Sequence, residues 1–227
     1  KETKQKICLT VIVPVYMNYG SITQTYEKIS AIVNESSASN VRLEFIFVND
    51  GSRDNSLQEI KELSEKFENV NYLNFSRNFG QVSAIVAGMA ESKGDITMVI
   101  SADLQDPPEL IVEMIDSWKK GAEVLIAYRS NRDDEFISKV FSKFFYSMIK
   151  KSIPTMPTGG FDFFMLDSKV LKEFNSIDER NRFVQGDVLW LGYNVKFIPY
   201  ERIKRTIGKS TWTSSKKIKY FIDGIIV

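Results

Sequence analysis

The sequence contains no histidine and a single cysteine, Cys8, among its 227 residues. The absence of histidine excludes Ser-His and Cys-His hydrolases, histidine-ligated zinc and an imidazole general base. A single cysteine excludes an intramolecular disulfide and a zinc site built from several thiolates. Because Cys8 lies within an apolar run, we interpret it as a buried core thiol. Catalysis would therefore use carboxylates, Lys, Arg, hydroxyls, amides, backbone groups or a metal bound mainly by oxygen.

The chain also lacks an excess of charge, because 30 Lys and Arg residues are balanced by 29 Asp and Glu residues. A formal net charge of +1 gives no overall attraction to nucleic acid, and we predict no nucleic-acid partner. Hydrophobic residues make up 43% of the sequence and charged residues 26%, which is an ordinary balance for a folded protein. The length is sufficient for one large domain or two small ones without disulfides.

Several sequence signals are missing as well. No apolar run reaches the about 20 residues that span a bilayer, and no apolar segment follows the polar start as in a signal peptide. The motifs G-x-G-x-x-G and G-x-x-x-x-G-K-S/T are absent, which disfavours a dinucleotide oxidoreductase and a P-loop NTPase. The sequence begins without Met and ends in the apolar stretch 225–227. We expect both ends to be trimmed, with a membrane segment following.

Short apolar runs alternate with helical patterns over the first two-thirds of the chain. The runs are rich in Val, Ile and Phe and predict strands buried on both faces of a parallel sheet, at 7–15, 43–48, 70–75, 96–100 and 123–127. Helices are predicted at 21–34, 55–67, 81–92 and 108–120. Beyond them we predict a loop at 129–135, an amphipathic helix at 136–151, a loop at 154–160, a strand at 161–166 and a helix at 181–191. The alternation indicates an open α/β sheet that binds ligands at the carboxyl ends of its strands.

An acidic residue follows the second predicted strand. Asp50, in the segment VNDGS, can accept hydrogen bonds from a base or a ribose at that strand end. The alternative is an ordinary Asp-Gly turn, because Gly51 permits a tight turn and the carboxylate can cap the next helix. The residue types alone leave both interpretations open.

Three oxygen donors follow the fourth predicted strand, in the segment SADLQDPP. Asp103, Gln105 and Asp106 are ligands of the kind that Mg²⁺ or Mn²⁺ prefers. Asp106 also precedes the helix that we predict to begin at Pro108, and we interpret it as the cap of that helix. A capping role does not account for Asp103.

Six motifs together resemble the family-2 glycosyltransferases: VIVPVY, FVNDGSRDNS, SRNFGQVSAIVAG, SADLQDPPE, TGGFDFFMLD and RIKRTIGKSTW. Within that family the likeness is strongest to the polyprenyl-phosphate glycosyltransferases, the group of dolichyl-phosphate mannose synthase and the bactoprenol glucosyltransferases. It extends from about Ile7 to Ile222. The resemblance implies a single α/β domain of the GT-A fold. Its sheet would be open and mostly parallel, with helices on both faces and a Rossmann-like nucleotide-binding half.

The resemblance also implies an activity. An inverting enzyme would move a sugar from a nucleoside-diphosphate sugar, with a UDP-sugar favoured, to a polyprenyl phosphate, using Mg²⁺ or Mn²⁺. The catalytic domain would lie at the cytoplasmic face of the cell membrane. Residues 1–128 would form the donor half, 129–205 the acceptor half, and 206–227 a basic amphipathic segment beside the membrane. A homo-oligomer is compatible with this reading.

Roles for individual residues follow from the same resemblance. The residues implied in donor binding are Pro14, Tyr16, Asp50, Arg77, Asn78, Ser101, Ala102, Asp103, Arg205, Lys209 and Ser210. Asp103 would hold the metal with Gln105, and Asp103 and Asp162 would be the catalytic acids. Arg129 and Arg132 would bind the acceptor phosphate. Asp187 lies where other family-2 enzymes carry acceptor-site acids.

Two positions depart from the family pattern. Ser101 stands where the family usually has the first acid of a D-x-D motif, which leaves one fewer anionic group beside the metal. Met17 stands where the family usually has Asn, which removes one polar contact to the nucleotide.

The segment 202–222 contains basic and aromatic residues and no acid. This combination favours binding to an anionic membrane surface, although a solvated basic tail has the same composition. Two other functions also stay open. One is transfer to a saccharide hydroxyl in polysaccharide synthesis. The other is a non-catalytic nucleotide-sugar-binding module, for which Ser101 is the main support.

Overall fold

The structure is a computed structural model that describes residues 6–36, 38, 40–130, 153–157, 159–179 and 182–201. The helix predicted at 136–151 and the basic segment 202–222 lie outside the described residues. The described strands are β1 (Ile7–Val15), β2 (Val41–Asn49), β3 (Val70–Asn74), β4 (Ile96–Val99), β5 (Val124–Arg129), β6 (Phe163–Asp167) and β7 (Val195–Tyr200). The described helices are α1 (Ile22–Glu35), α2 (Ser56–Lys66), α3 (Gln81–Glu91), α4 (Leu110–Lys119), α5 (Ser168–Ser176) and α6 (Val184–Trp190).

All of these strands form a 7-stranded sheet with the order β3-β2-β1-β4-β6-β5-β7. Strand β6 runs antiparallel to its neighbours β4 and β5, and the other pairs are parallel. The parallel strands therefore end at one edge of the sheet, and β6 begins there. The prediction of a mostly parallel open sheet is confirmed.

Both faces of the sheet are covered by helices. Side chains of β1 alternate between the faces, so that Leu9 and Val11 point to one face while Ile12 points to the other. Helices α1, α2 and α4 bury apolar residues on the first face, among them Ile29, Ile60 and Met114. Helices α3, α5 and α6 do so on the second face, among them Ile85, Phe174 and Val188. Burial on both faces explains why the central strands are continuous apolar runs.

The start of α4 differs from the prediction. The helix begins at Leu110 rather than at Pro108. The backbone N–H groups of Leu110 and Ile111 donate to the carbonyls of Pro107 and Pro108, at 3.2 and 3.0 Å. These bonds reach back only three residues, so the two prolines form a tight turn that precedes the α-helix.

Two elements were not predicted. Helix α5 follows β6 without a linker. Asp167, the last residue of β6, caps the helix, because its carboxylate accepts from the N–H of Lys169 at 2.9 Å. Strand β7 contains Lys196 and Pro199, which interrupt the apolar run expected of a buried strand. It lies at the end of the described sheet, where a strand tolerates proline. Among the described residues, none of the helices combines the length and the apolar character needed to cross a membrane.

Gly88 lets α3 approach the sheet closely, and we expect Gly88→Ala to destabilise the fold. An added methyl group would lie 2.5 Å from Cγ2 of Ile12 and 3.2 Å from Cγ2 of Val48, both in the core. Overpacking costs about 1–3 kcal/mol, more than the about 1 kcal/mol that alanine gains in a helix. Denaturant unfolding should therefore show a net loss of stability.

The exposed residue Ala90 on the same helix gives the matched control. Ala90→Gly changes one methyl group on the solvent side and reports helix propensity without packing. If Gly88→Ala stabilised the protein by as much as Ala90→Gly destabilised it, the close packing at Gly88 would be contradicted.

Candidate functional site

Polar residues collect at the sheet edge where the parallel strands end. Tyr16 follows β1, Asp50 follows β2, and Asp103 lies shortly after β4. Arg129 is the last residue of β5. Asp162 joins them from the other direction, because β6 is antiparallel and begins at this edge. The topology therefore brings these five predicted site residues to one edge.

The carboxylate of Asp50 holds the loop that follows β3. Its Oδ1 accepts from the backbone N–H of Phe79 at 2.6 Å, and its Oδ2 accepts from the N–H of Gly80 at 3.0 Å. The side-chain amide of Asn78 donates to the same Oδ2 at 2.8 Å. Asp50 is 3% exposed, so these donors replace the water that a carboxylate loses on burial. Contact of Asp50 with a nucleotide stays a prediction.

Gly51 allows the same loop to lie against the turn after β2. It has a positive φ of 62°, and a Cβ atom there would lie 2.6 Å from the backbone nitrogen of Asn78. The obstacle is backbone, which cannot rotate away as a side chain could. Asp50 and Gly51 therefore join two loops through a carboxylate and a backbone contact.

A cavity of about 350 Å³ opens between these loops and the turn after β1. It is lined by Tyr16, Asn49, Gly51, Ser52, Arg53, Leu57, Asn74, Phe75, Ser76, Arg77 and Asn78. Three predicted donor residues, Tyr16, Arg77 and Asn78, belong to this lining, whereas Pro14 and Asp50 do not. The guanidinium of Arg77 lies 4.1 Å from the ring centroid of Phe79, a cation–π arrangement that orients the arginine.

A hydroxyl connects the two acids after β4. Oγ of Ser101 lies 2.9 Å from Oδ1 of Asp103 and 2.7 Å from Oδ2 of Asp106. Because a hydroxyl has one proton, Ser101 donates to one carboxylate at a time. The chain therefore has a neutral donor at the position where the family usually has a further acid.

Asp106 does not cap α4, so that prediction was wrong. Its Oδ1 accepts from the hydroxyl of Tyr200 at 2.5 Å, and its Oδ2 faces Ser101. At 1% exposure, Asp106 needs such donors, and the end of β7 supplies one that the local sequence does not contain. Sequence reasoning also missed Tyr200. Ile198 and Tyr200, two residues apart, show the alternation of a half-buried strand. The intervening Pro199 obscured this strand pattern in the sequence.

The donor set after β4 fits a hard divalent cation that shares its coordination with phosphates. Asp103 supplies a carboxylate, Ser101 a hydroxyl and Gln105 an amide oxygen, and such ions often take one or two carboxylates plus phosphate oxygens. Leu104 adopts a left-handed φ of 54°, and the N–H of Gln105 donates to Oδ1 of Asp103 at 3.2 Å. Within the described ranges, no group of three or more His, Cys, Asp or Glu residues could hold a metal.

The predicted acceptor residue Arg129 and the predicted catalytic acid Asp162 form an ion pair, with Nη2 and Oδ2 3.7 Å apart. Tyr200 is the register partner of Arg129 on β7. Burial lowers the pKa of Arg129, but its interaction with the Tyr200 side chain and the charges of Asp162 and Asp106 outweigh burial and raise the pKa above its ordinary value. The Asp162 side chain is 47% exposed, so this pair is open to solvent and to a ligand.

Two other predicted residues take structural positions. The carbonyl of Ala102 accepts from the hydroxyls of Ser21 and Thr25 in the α1 region, at 2.7 and 3.3 Å. Asp187 forms a buried ion pair with Arg182 at 2.6 Å, and burial raises its pKa. The predicted site residues Arg132, Arg205, Lys209 and Ser210 lie outside the described residues.

A third carboxylate at position 101 should destabilise the chain when no cation is bound. Ser101→Asp would replace the hydroxyl donor with a like charge beside Asp103 and Asp106, and losing a donor to buried acceptors costs about 1–3 kcal/mol. Thermal unfolding in EDTA should show this loss, and saturating Mn²⁺ should reverse part of it. Ser101→Asn is the matched control, because it has nearly the same size without the charge. Equal stability of the Asp and Asn variants in EDTA would contradict the expected repulsion.

Comparison with known proteins identifies the family of the chain. The family model of glycosyl transferase family 2 matches residues 10–174. The glycosyltransferase YkcC of Bacillus subtilis, described as uncharacterized, is 38% identical over 95% of this chain and 67% of its own length. A bactoprenol glucosyl transferase of Shigella phage SfV is 30% identical over 96% of this chain and 70% of its own length. The chain thus spans about two-thirds of the length of these relatives.

Solved structures share the fold. A mannosyltransferase of Pyrobaculum calidifontis, solved with GDP-Man and Mn²⁺, superposes with a TM-score of 0.65 at 14% identity, over 96% of this chain and 63% of its own. Glucosyl-3-phosphoglycerate synthase of Mycobacterium tuberculosis, solved with Mn²⁺, UDP-Glc and phosphoglyceric acid, gives 0.63 at 14% identity, over 96% and 77%. These neighbours confirm the GT-A fold predicted from the motifs. The family model that matches residues 10–174, together with the relatives of 30% identity or more, shows that the chain belongs to glycosyltransferase family 2.

Proposed function

We propose that the protein transfers a sugar from a nucleoside-diphosphate sugar, most suitably a UDP-sugar, to a polyprenyl phosphate, with inversion at the anomeric carbon. The observation that carries this proposal is the single sheet edge. It holds a cavity of about 350 Å³, an oxygen donor set and the partly exposed ion pair of Arg129 and Asp162. The bactoprenol glucosyl transferases among the relatives support the choice of acceptor.

The donor nucleoside would occupy the cavity lined by Tyr16, Arg77 and Asn78, whose volume of about 350 Å³ lies in the range of small-molecule sites. The diphosphate would extend toward Asp103. Mg²⁺ or Mn²⁺ held there by Asp103, Ser101 and Gln105 would supply positive charge to the diphosphate. We assign Arg205 and Lys209 to the same phosphates, because fixed cations stabilise charge on a leaving group.

The acceptor phosphate would bind beside Arg129, with Arg132 as a second cation. A phosphate oxygen forms the new bond to the anomeric carbon from the face opposite the diphosphate, which leaves with the bonding electron pair. A phosphate monoester has its second pKa at about 6, so the nucleophile is largely ionised at pH 7. Asp162 would therefore orient Arg129 and the acceptor rather than remove a proton.

We place this reaction at the cytoplasmic face of the cell membrane, with 1–128 as the donor half and 129–205 as the acceptor half. The lipid character of a polyprenyl phosphate supports the location. The composition of 206–227, which continues the basic run, supports contact with an anionic membrane surface.

Gly51→Ala tests the donor cavity. The added methyl group would force the loop at Asn78 away from the turn after β2 and so deform the cavity that Asn78 lines. We expect UDP affinity in calorimetric titration with Mn²⁺ to fall at least about tenfold, which corresponds to about 1.4 kcal/mol. Gly20→Ala is the matched control, because Gly20 also has a positive φ, of 88°, but an added Cβ would meet no atom within 4 Å. Equal UDP affinity of the two variants would contradict the assignment of the cavity.

Asp162→Asn tests the acceptor. If the nucleophile is an ionised phosphate, transfer from UDP-glucose to a polyprenyl phosphate should fall only about tenfold with an unchanged pH profile, because no proton must be removed. If it is a saccharide hydroxyl, the loss of a general base should cost about 10²–10⁴-fold. Asp116→Asn, on the outer surface of α4, controls for the general effect of losing one acid. A loss at every pH with donor binding intact would contradict the phosphate acceptor and favour the saccharide one.

A further inference from the structure

We propose that Tyr200 is a positioning residue that couples the donor side of the site to its acceptor side. This inference deepens the proposed function and rests on it. The two sides come from different elements, the β4–α4 loop with Asp103 and Asp106, and β5 with Arg129. Tyr200, at the end of β7, donates its hydroxyl to Asp106 and is the register partner of Arg129.

The donor-side contact is a hydrogen bond to a buried acid. The Tyr200 hydroxyl donates to Oδ1 of Asp106 at 2.5 Å, and the two residues are 7% and 1% exposed. Burial and the adjacent charge of Asp106 raise the pKa of Tyr200 above its ordinary value, so the phenol keeps its proton. Tyr200 therefore donates to Asp106 at neutral pH.

The hydrogen bonds that Asp106 accepts affect Asp103 through Ser101. The Ser101 proton lies within reach of both carboxylates, at 2.7 Å from Asp106 and 2.9 Å from Asp103. When Tyr200 donates a hydrogen bond to Asp106, the Ser101 hydroxyl is free to donate to Asp103 and orient its carboxylate. Without the Tyr200 hydroxyl, the buried Asp106 would need the hydrogen bond from Ser101, and Asp103 would lose it.

On the acceptor side the neighbour of Tyr200 is Arg129. The strands β5 and β7 pair these two residues directly, and the carbonyl of Tyr200 accepts from both the N–H and the hydroxyl of Ser130, at 2.9 and 3.1 Å. The backbone of Tyr200 is thus held in place independently of its hydroxyl. Arg129 has a second partner in Asp162, 3.7 Å away, so the hydroxyl influences the pair proposed to meet the acceptor.

Tyr200→Phe removes this hydroxyl and leaves the ring and the backbone pairing. We expect UDP affinity in the presence of Mn²⁺ to fall about tenfold, as for a lost hydrogen bond to a charged group. The KM for a polyprenyl phosphate in detergent micelles should rise as well. Tyr128→Phe is the matched control, because Tyr128 lies on β5 and packs its ring edge-on against Phe197. This control should keep wild-type affinity for UDP and for the acceptor.

A double-mutant cycle tests the route through Asp106. If Ser101 and Tyr200 act on the same carboxylate, Ser101→Ala combined with Tyr200→Phe should weaken UDP binding by less than the product of the single effects. Independent, multiplicative effects would overturn the route, and an unchanged UDP affinity in Tyr200→Phe would overturn the inference. A change in thermal stability with unchanged UDP affinity and acceptor KM would indicate a purely structural tyrosine. Failure of the unmutated chain to bind UDP or GDP would instead count against the proposed function itself.

Discussion

The organisation of this site depends on two carboxylates that are buried and must therefore be hydrogen-bonded. Asp50 and Asp106 are 3% and 1% exposed, and neither can be solvated by water as an exposed acid would be. Asp50 obtains its donors from the loop after β3 and so holds in place the loop whose residues Arg77 and Asn78 line the cavity. Asp106 obtains one from Tyr200, at the end of a strand distant in sequence. The hydrogen bonds that each buried acid requires therefore hold together loops that the strand order alone would only place near one another.

The presence of Ser101 changes the electrostatics of the donor set. An acid there would place three carboxylates close together, and a cation would be needed to offset their mutual repulsion. A hydroxyl instead hydrogen-bonds to Asp103 or Asp106, and the loop carries one negative charge fewer. The geometry thus gives Ser101 a role of its own, and its replacement of an acid does not by itself support a non-catalytic module.

The first two-thirds of the fold could be predicted because most of its strands are buried on both faces. The exception is β3, at the end of the sheet, which was expected to be buried but has only Val70 fully buried. Burial on both faces requires continuous apolar runs, and β1 begins and ends where it was predicted. Helix α5 and strand β7 were missed because a short helix joined directly to a strand and a strand containing Lys196 and Pro199 lack such a signature. Asp106 was misread for a related reason, since its partner Tyr200 is 94 residues away.

The sequence by itself determined the alternation of strands and helices, the family and the residue types at the strand ends. These follow from local periodicity and from motifs, which need no knowledge of distant contacts. Only the tertiary structure decided that Asp50 holds the loop that lines the cavity, that Asp106 faces Tyr200 rather than α4, and that Arg129 pairs with Asp162. Each depends on which loops meet at one edge, and strand order and the reversal of β6 determine that meeting.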